Sequence, residues 1–241
     1  MGLKPALASA LSGAALALGL AACGAPPVHN SPAETALVRR IRSAVLAKGS
    51  VHIEIHRRQK GKGVEVLSGD IGEKSADEFI VQGKDTVSIR VTPEASYFMG
   101  NAGGLEDFLG LSKKAAKRAG KSWVENKAGT TLYKDLFQAD TMGSLPASLL
   151  PTKSAAVKLA SKEVGGTAVK VLTWTESDNG TKISEVLTVP ANGLPLPLTE
   201  VTDVSSAHLD QTSTFSAWGK KLHVVAPPAK DVVSYSKVTS G

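Results

Sequence analysis

The sequence holds a single cysteine, Cys23, in 241 residues. That excludes an intramolecular disulfide framework and a cysteine-ligated zinc finger. Aromatic residues make up only 5%, too few for an aromatic-lined platform for sugars or nucleic-acid bases. No stretch resembles a nucleic-acid-binding signature, and no nucleic-acid partner is expected. There is no Gly-x-Ser-x-Gly elbow, no Walker loop and no His-Glu-x-x-His. The five histidines are scattered at positions 29, 52, 56, 208 and 223, so nothing locates a Ser-His-Asp triad and no enzyme is expected. No apolar run reaches the roughly 20 residues of a membrane-spanning helix. Charge is not extreme either: the net +6 suits a protein near anionic lipid headgroups or cell-wall polymers, and equally suits plain colloidal solubility. A hydrophobic fraction of 42% is that of a globular chain.

What is present begins at the N-terminus. Residues 1–22 have the outline of a secretory signal peptide, with Lys4 as a thin positive region and an uncharged Ala- and Leu-rich stretch over residues 6–20. The stretch ends in Leu20-Ala21-Ala22-Cys23, which looks like a bacterial lipobox. In that reading Ala22 is the residue before cleavage and the Cys23 thiol receives a diacylglycerol, with palmitate-type chains. Two chains suffice for stable anchoring where one holds only marginally. The alternative is an ordinary secretory peptide with an incidental cysteine. Residues 23–32 read as the lipidated cysteine and a Pro-rich tether, and residues 33–241 as one domain.

The domain opens with a helix. Ser31 or Thr35 can cap it, Pro32 suits its first turn, and Leu37, Ile41, Ala44 and Val45 recur at helical spacing up to Gly49. The period then changes to two in Val51-His52-Ile53-Glu54-Ile55-His56, a strand with one buried face. Residues 57–63 read as a hairpin turn, and 64–67, 78–82, 86–92 and 95–99 as further strands of an antiparallel meander. The middle reads as helical: 105–119, then shorter pieces at 132–142 and 145–150. Strands resume over 156–160, 168–177, 182–189, 196–205, 208–217 and 222–226, followed by an extended tail. The economical arrangement is α+β, a large antiparallel sheet with its helices gathered on one face.

With its lipobox, short tether, opening helix and helical insert, and with the ending Phe215-Ser216-Ala217-Trp218-Gly219-Lys220 followed by residues 224–233, the chain resembles the LppX/LprG family of actinobacterial lipoproteins. That family is similar in fold to the lipoprotein carriers LolA and LolB. The resemblance implies a strongly curved antiparallel sheet, a half-open barrel, with helices covering its concave face and an apolar cavity between them for acyl chains. Candidate inward residues are Val51, Ile53 and Ile55 on the first strand, and Phe79 and Val81, or Ile80, on the third. Leu105, Phe108, Leu109, Leu136, Phe137, Leu145, Leu149 and Leu150 would come from the cover. The same pattern also makes a solid core.

The expected function is therefore that of a lipid-anchored protein on the extracytoplasmic face of the cell membrane. It would bind lipid or glycolipid acyl chains and carry or present them, without a cofactor and with an envelope transporter or other protein as partner. The alternative is an interaction or sensor lipoprotein that uses the same fold to bind an envelope protein or peptide. Two further groups stand out. His52, Glu54 and His56 share a strand face and are valid zinc ligands, although alternation alone requires polar residues there; no metal is expected. Lys113, Lys114, Lys117, Arg118 and Lys121 make a basic helix side that suits anionic headgroups or simply solvent.

Overall fold

A computed structural model describes residues 30–178 and 180–240. The expected signal peptide, with Ala22, and the expected anchor Cys23 lie outside the described residues. Helix α1 (Pro32–Lys48) starts where its sequence dictates. The Ser31 hydroxyl accepts from the Glu34 amide at 3.3 Å, and the Glu34 carboxylate accepts from the Ser31 amide at 2.6 Å, a reciprocal capping box. Gly49 ends the helix at φ +68°, a conformation that costs glycine no steric strain. Leu37, Ile41, Ala44 and Val45 form its buried stripe. Just before it, the Asn30 side chain donates to Ala155 O (3.0 Å) and accepts from Val157 N (2.8 Å), pinning the start of the described chain to a segment far along the sequence. Asn30→Ala removes both bonds and is expected to lower the unfolding free energy by about 2 kcal/mol. Urea denaturation checks this.

Five strands follow as a meander: β1 (Ser50–Gln59), β2 (Gly63–Gly72), β3 (Ala76–Gln82), β4 (Asp85–Val91) and β5 (Ala95–Gly100). The first hairpin is tighter than its basic residues suggested. Arg57, Arg58 and Gln59 continue β1, and Arg57 pairs in register with Glu65. The helical insert comprises α2 (Ala102–Leu109), α3 (Lys113–Ala119), α4 (Thr131–Ala139) and α5 (Leu145–Leu149), with β6 (Trp123–Lys127) between α3 and α4. The stretch 105–119 is thus two helices, not one. Gly110 turns left-handed at φ +65° and returns its amide to Leu105 and Glu106, and Ser112 caps the next helix. The second meander is β7 (Lys158–Val164), β8 (Thr167–Asp178), β9 (Thr181–Pro190), β10 (Thr199–Val204) and β11 (Leu209–Ser216). β12 (Val232–Ser234) and α6 (Tyr235–Thr239) complete the chain.

All twelve strands form one sheet in the order β12-β6-β5-β4-β3-β2-β1-β11-β10-β9-β8-β7. The two meanders join where β1 pairs antiparallel with β11, Ile53 opposite Phe215. The sheet is open, curled and almost wholly antiparallel. Residues 222–226 form no strand, contrary to expectation. They carry apolar residues but find no ladder, and Arg90 Nη1 holds Val225 O at 3.1 Å instead. Nor does the tail stay extended: β12 pairs in parallel with β6 and covers that edge of the sheet. Among the described residues, no helix is long and apolar enough to cross a membrane.

Candidate functional site: the inner face of the sheet

Register decides which side chains share the inner face. One row runs Val51, Ile71, Ala76, Val91, the next Ile53, Gly69, Glu78, Ile89, Phe98, and the third Ile55, Leu67, Ile80, Val87. Across the β1–β11 junction the rows continue as Phe215, then as Ser213, Glu200, Leu187, Leu172. The aliphatic members are buried and share one core with Leu105, Phe108 and Leu109 of α2, Leu136 of α4, and Leu145 and Leu149 of α5. Phe137 packs on the margin of this core.

A polar belt lies at the β1–β2 hairpin end of the same face. The Arg57 guanidinium is buried and meets Glu65 Oε1 at 3.2 Å. It also donates twice to Gln211 Oε1, at 3.1 Å from Nε and 3.0 Å from Nη2. Gln211 donates on to Ser213 Oγ, and Ser213 to Glu200 Oε2 at 3.4 Å. One register position further out, Thr202 donates to Glu185 Oε2 at 2.8 Å. Burial lifts the Glu200 carboxyl to about 8, reinforced by the charge of Glu185 and opposed by the Ser213 bond. Burial likewise lifts Glu185 to about 7. Near neutral pH the belt is therefore rich in hydrogen-bonding groups and poor in net charge. Beside it, Ser148, Leu150, Trp174, Glu176 and Glu185 line a cavity of about 20 Å³, room for one water molecule.

No family model matches the sequence, and no curated protein matches it. Among solved structures, the lipoprotein LppX of Mycobacterium tuberculosis is 14% identical and superposes with a TM-score of 0.52, over 81% of this chain and 100% of that one. The fold is that of LppX. A LolA superfamily protein from Nitrosomonas europaea (9% identity, 82% and 96% of the two chains, TM-score 0.31) and a DUF1329 family protein from Desulfovibrio piger (9%, 83% and 96%, TM-score 0.33) are more distant. The expected fold, a curved antiparallel sheet with helices on one face, is the observed one.

Of the residues singled out in the sequence, Val51, Ile53, Ile55, Leu105, Phe108, Leu109, Leu136, Leu145, Leu149 and Leu150 all come together in this core, with Phe137 beside it. Phe79 and Val81 do not. Ile80 is the inward residue of β3, and Phe79 lies on the opposite face at 47% exposed. The parity of β3 is set by Ala76 and Ile80, which places an acid, Glu78, inside. His52 and His56 lie on the outer face. His52 Nδ1 pairs with Asp70 and His56 Nε2 with Glu54, each at 2.7 Å. No three metal-binding side chains converge among the described residues. The basic residues of α3 are exposed while Ala115, Ala116 and Ala119 are buried, and Arg118 donates to Val238 O of α6. The polar belt escaped the sequence reading because its members sit on different strands. Its one local signal is the polar residues Arg57, Gln211 and Ser213 at positions where alternation demands apolar ones.

Proposed function

We propose that this protein is a membrane-anchored envelope lipoprotein that binds acyl chains of a lipid or glycolipid against the inner face of its sheet and carries or presents them. Cys23 is the lipidated residue, and the domain works at the extracytoplasmic face. The supporting observation is the composition of the inner face. Largely aliphatic rows, broken by Gly69 and Glu78, meet a nearly neutral belt rich in carboxyl, amide and hydroxyl groups at one end, which suits a ligand with long tails and a polar head. Each methylene withdrawn from water contributes about 0.8 kcal/mol, so two chains supply ample affinity without directional contacts. The shared fold with a protein described as a lipoprotein points the same way.

The test uses the Cys23→Ala chain, which cannot be acylated. Native mass spectrometry of this protein after mild purification is expected to show lipid-sized adducts, and the stripped protein is expected to take up phosphatidylglycerol from vesicles. Neither adducts nor uptake would refute lipid carriage. The same substitution is expected to move the protein out of the membrane fraction, and its retention there would refute the anchor.

A further inference from the structure

Glu78 and Asp140 are the two acids buried between cover and sheet, and the polar belt does not include them. Glu78 sits in the row Ile53, Gly69, Glu78, Ile89, at 3% exposed. Its side chain lies across Gly69. A Cβ at that glycine would come within 2.6 Å of Glu78 Cγ and 2.9 Å of Asp77 O, so only glycine leaves the acid this space. Asp140, 1% exposed, ends α4 by donating its amide to Leu136 O at 2.8 Å. It also opens the short connection to α5. That connection is stitched to the sheet two residues on, where Met142 N donates to Gly72 O at 3.0 Å. Glu78 Oε2 and Asp140 Oδ2 are both buried without a hydrogen-bond partner. An orphaned oxygen on each of two neighbouring buried acids is costly in either charge state, and far more costly when both are ionised.

We propose that Glu78 and Asp140 form a proton-dependent latch, which holds the α4–α5 segment on the sheet while the pair is protonated and releases it from the inner face as the pair ionises. The charged neighbours are few. Asp77, on the same strand, faces outward and pairs with Arg90 at 3.1 Å. Lys134 and Asp135 of α4, and Glu73 and Lys74 of the β2–β3 turn, are exposed. On β2 and β4, Glu78 stands opposite Gly69 and Ile89. Among the described residues the buried cation is Arg57, which is held by Glu65 and Gln211.

Burial and the neighbouring Asp140 push Glu78 well above the usual carboxylate range, and burial lifts Asp140 to about 7. Both acids hold protons more tightly folded than unfolded. The docked state is therefore fully favoured below the ordinary carboxylate range and loses ground as pH rises through about 7. Ile53, Ile80 and Ile89 are at most 1% exposed, so a ligand that reaches them must first displace what covers them. The latch rests on the proposed function only for what its opening serves.

Hydrogen exchange of the full-length chain at pH 5.5 and 8, corrected for intrinsic exchange, tests it without any ligand. Peptides over residues 131–149 are expected to open at least tenfold more at pH 8. The Glu78→Gln/Asp140→Asn chain should keep the low-pH value at both. The latch is wrong if the parent shows no change or if the doubly neutralised chain keeps the tenfold change. Failure of lipid uptake would leave this result standing.

Discussion

A Gly104→Ala protein is expected to be about 3 kcal/mol less stable than the parent and to melt roughly 6–12 °C lower. Helix α2 lies directly on the backbone of β4. A Cβ at Gly104 would run into the carbonyl oxygen of Thr86 and lie 2.7 Å from its carbon. That carbonyl cannot turn aside, because it already accepts the Asn101 amide, and Asn101 caps the helix through Gly104 N at 2.8 Å. Asn101 also donates to Lys84 O at 2.7 Å, so helix start and strand start are one unit. Gly103→Ala is the internal comparison. Its Cβ meets the Asp85 carboxylate, a side chain that can rotate away, and the loss should stay near 1 kcal/mol. Equal losses for the two variants, by calorimetry or urea denaturation, would show that α2 does not rest on β4 as described.

Glu200→Gln is expected to do the opposite, by an amount that grows as pH rises above 4. Burial raises Glu200 to about 8 in the folded chain, against an ordinary value of about 4.3 in an unfolded one. Below pH 4 both states are protonated and the residue adds no pH dependence. As pH rises from there to 8 the unfolded chain gives up its proton freely while the folded chain resists, so stability falls continuously and then levels off. For one carboxyl moved that far the loss is about 5 kcal/mol. Gln keeps the bond from Ser213 and cannot ionise. Urea denaturation at pH 4 and pH 9 should show parent and variant alike at the lower pH, with the variant several kcal/mol more stable at the higher. A variant that is weaker at both would mean Glu200 is ionised in the fold and held by partners.

The sequence discloses the parts of this fold in which local signals agree. Ser31, Pro32, Glu34 and Gly49 mark both ends of α1, and its four buried residues were legible as a stripe. The β1 alternation identified Val51, Ile53 and Ile55 as inward. It failed on β3 for an identifiable reason. Glu78-Phe79-Ile80-Val81 offers apolar residues of both parities, and hydrophobicity favours the set containing Phe79. The actual choice places Glu78 inside, which is tolerated because Gly69 on the neighbouring strand leaves room and Asp140, over 60 residues on, supplies the matching acid. Neither condition is visible in a window around β3. The tail misleads in the same manner. Val224 and Val225 look like strand residues, yet Val232–Ser234 make the ladder because β6 offers its free edge there. Interactions among Arg57, Gln211 and Glu200 likewise depend on pairings between distant strands.

The junction between β1 and β11 has a consequence for the order of folding. Within each meander every ladder is a hairpin or near neighbour and can zip from its own turn, whereas His52 must find Ser216 across most of the chain. Closing so long a loop is entropically costly and slow. Assembly is therefore expected to run as two partial sheets that form early, with the β1–β11 seam, like the β6–β12 pairing, forming late. Until the seam closes, β1 and β11 each present an unpaired edge, and these edges are where one chain would capture another.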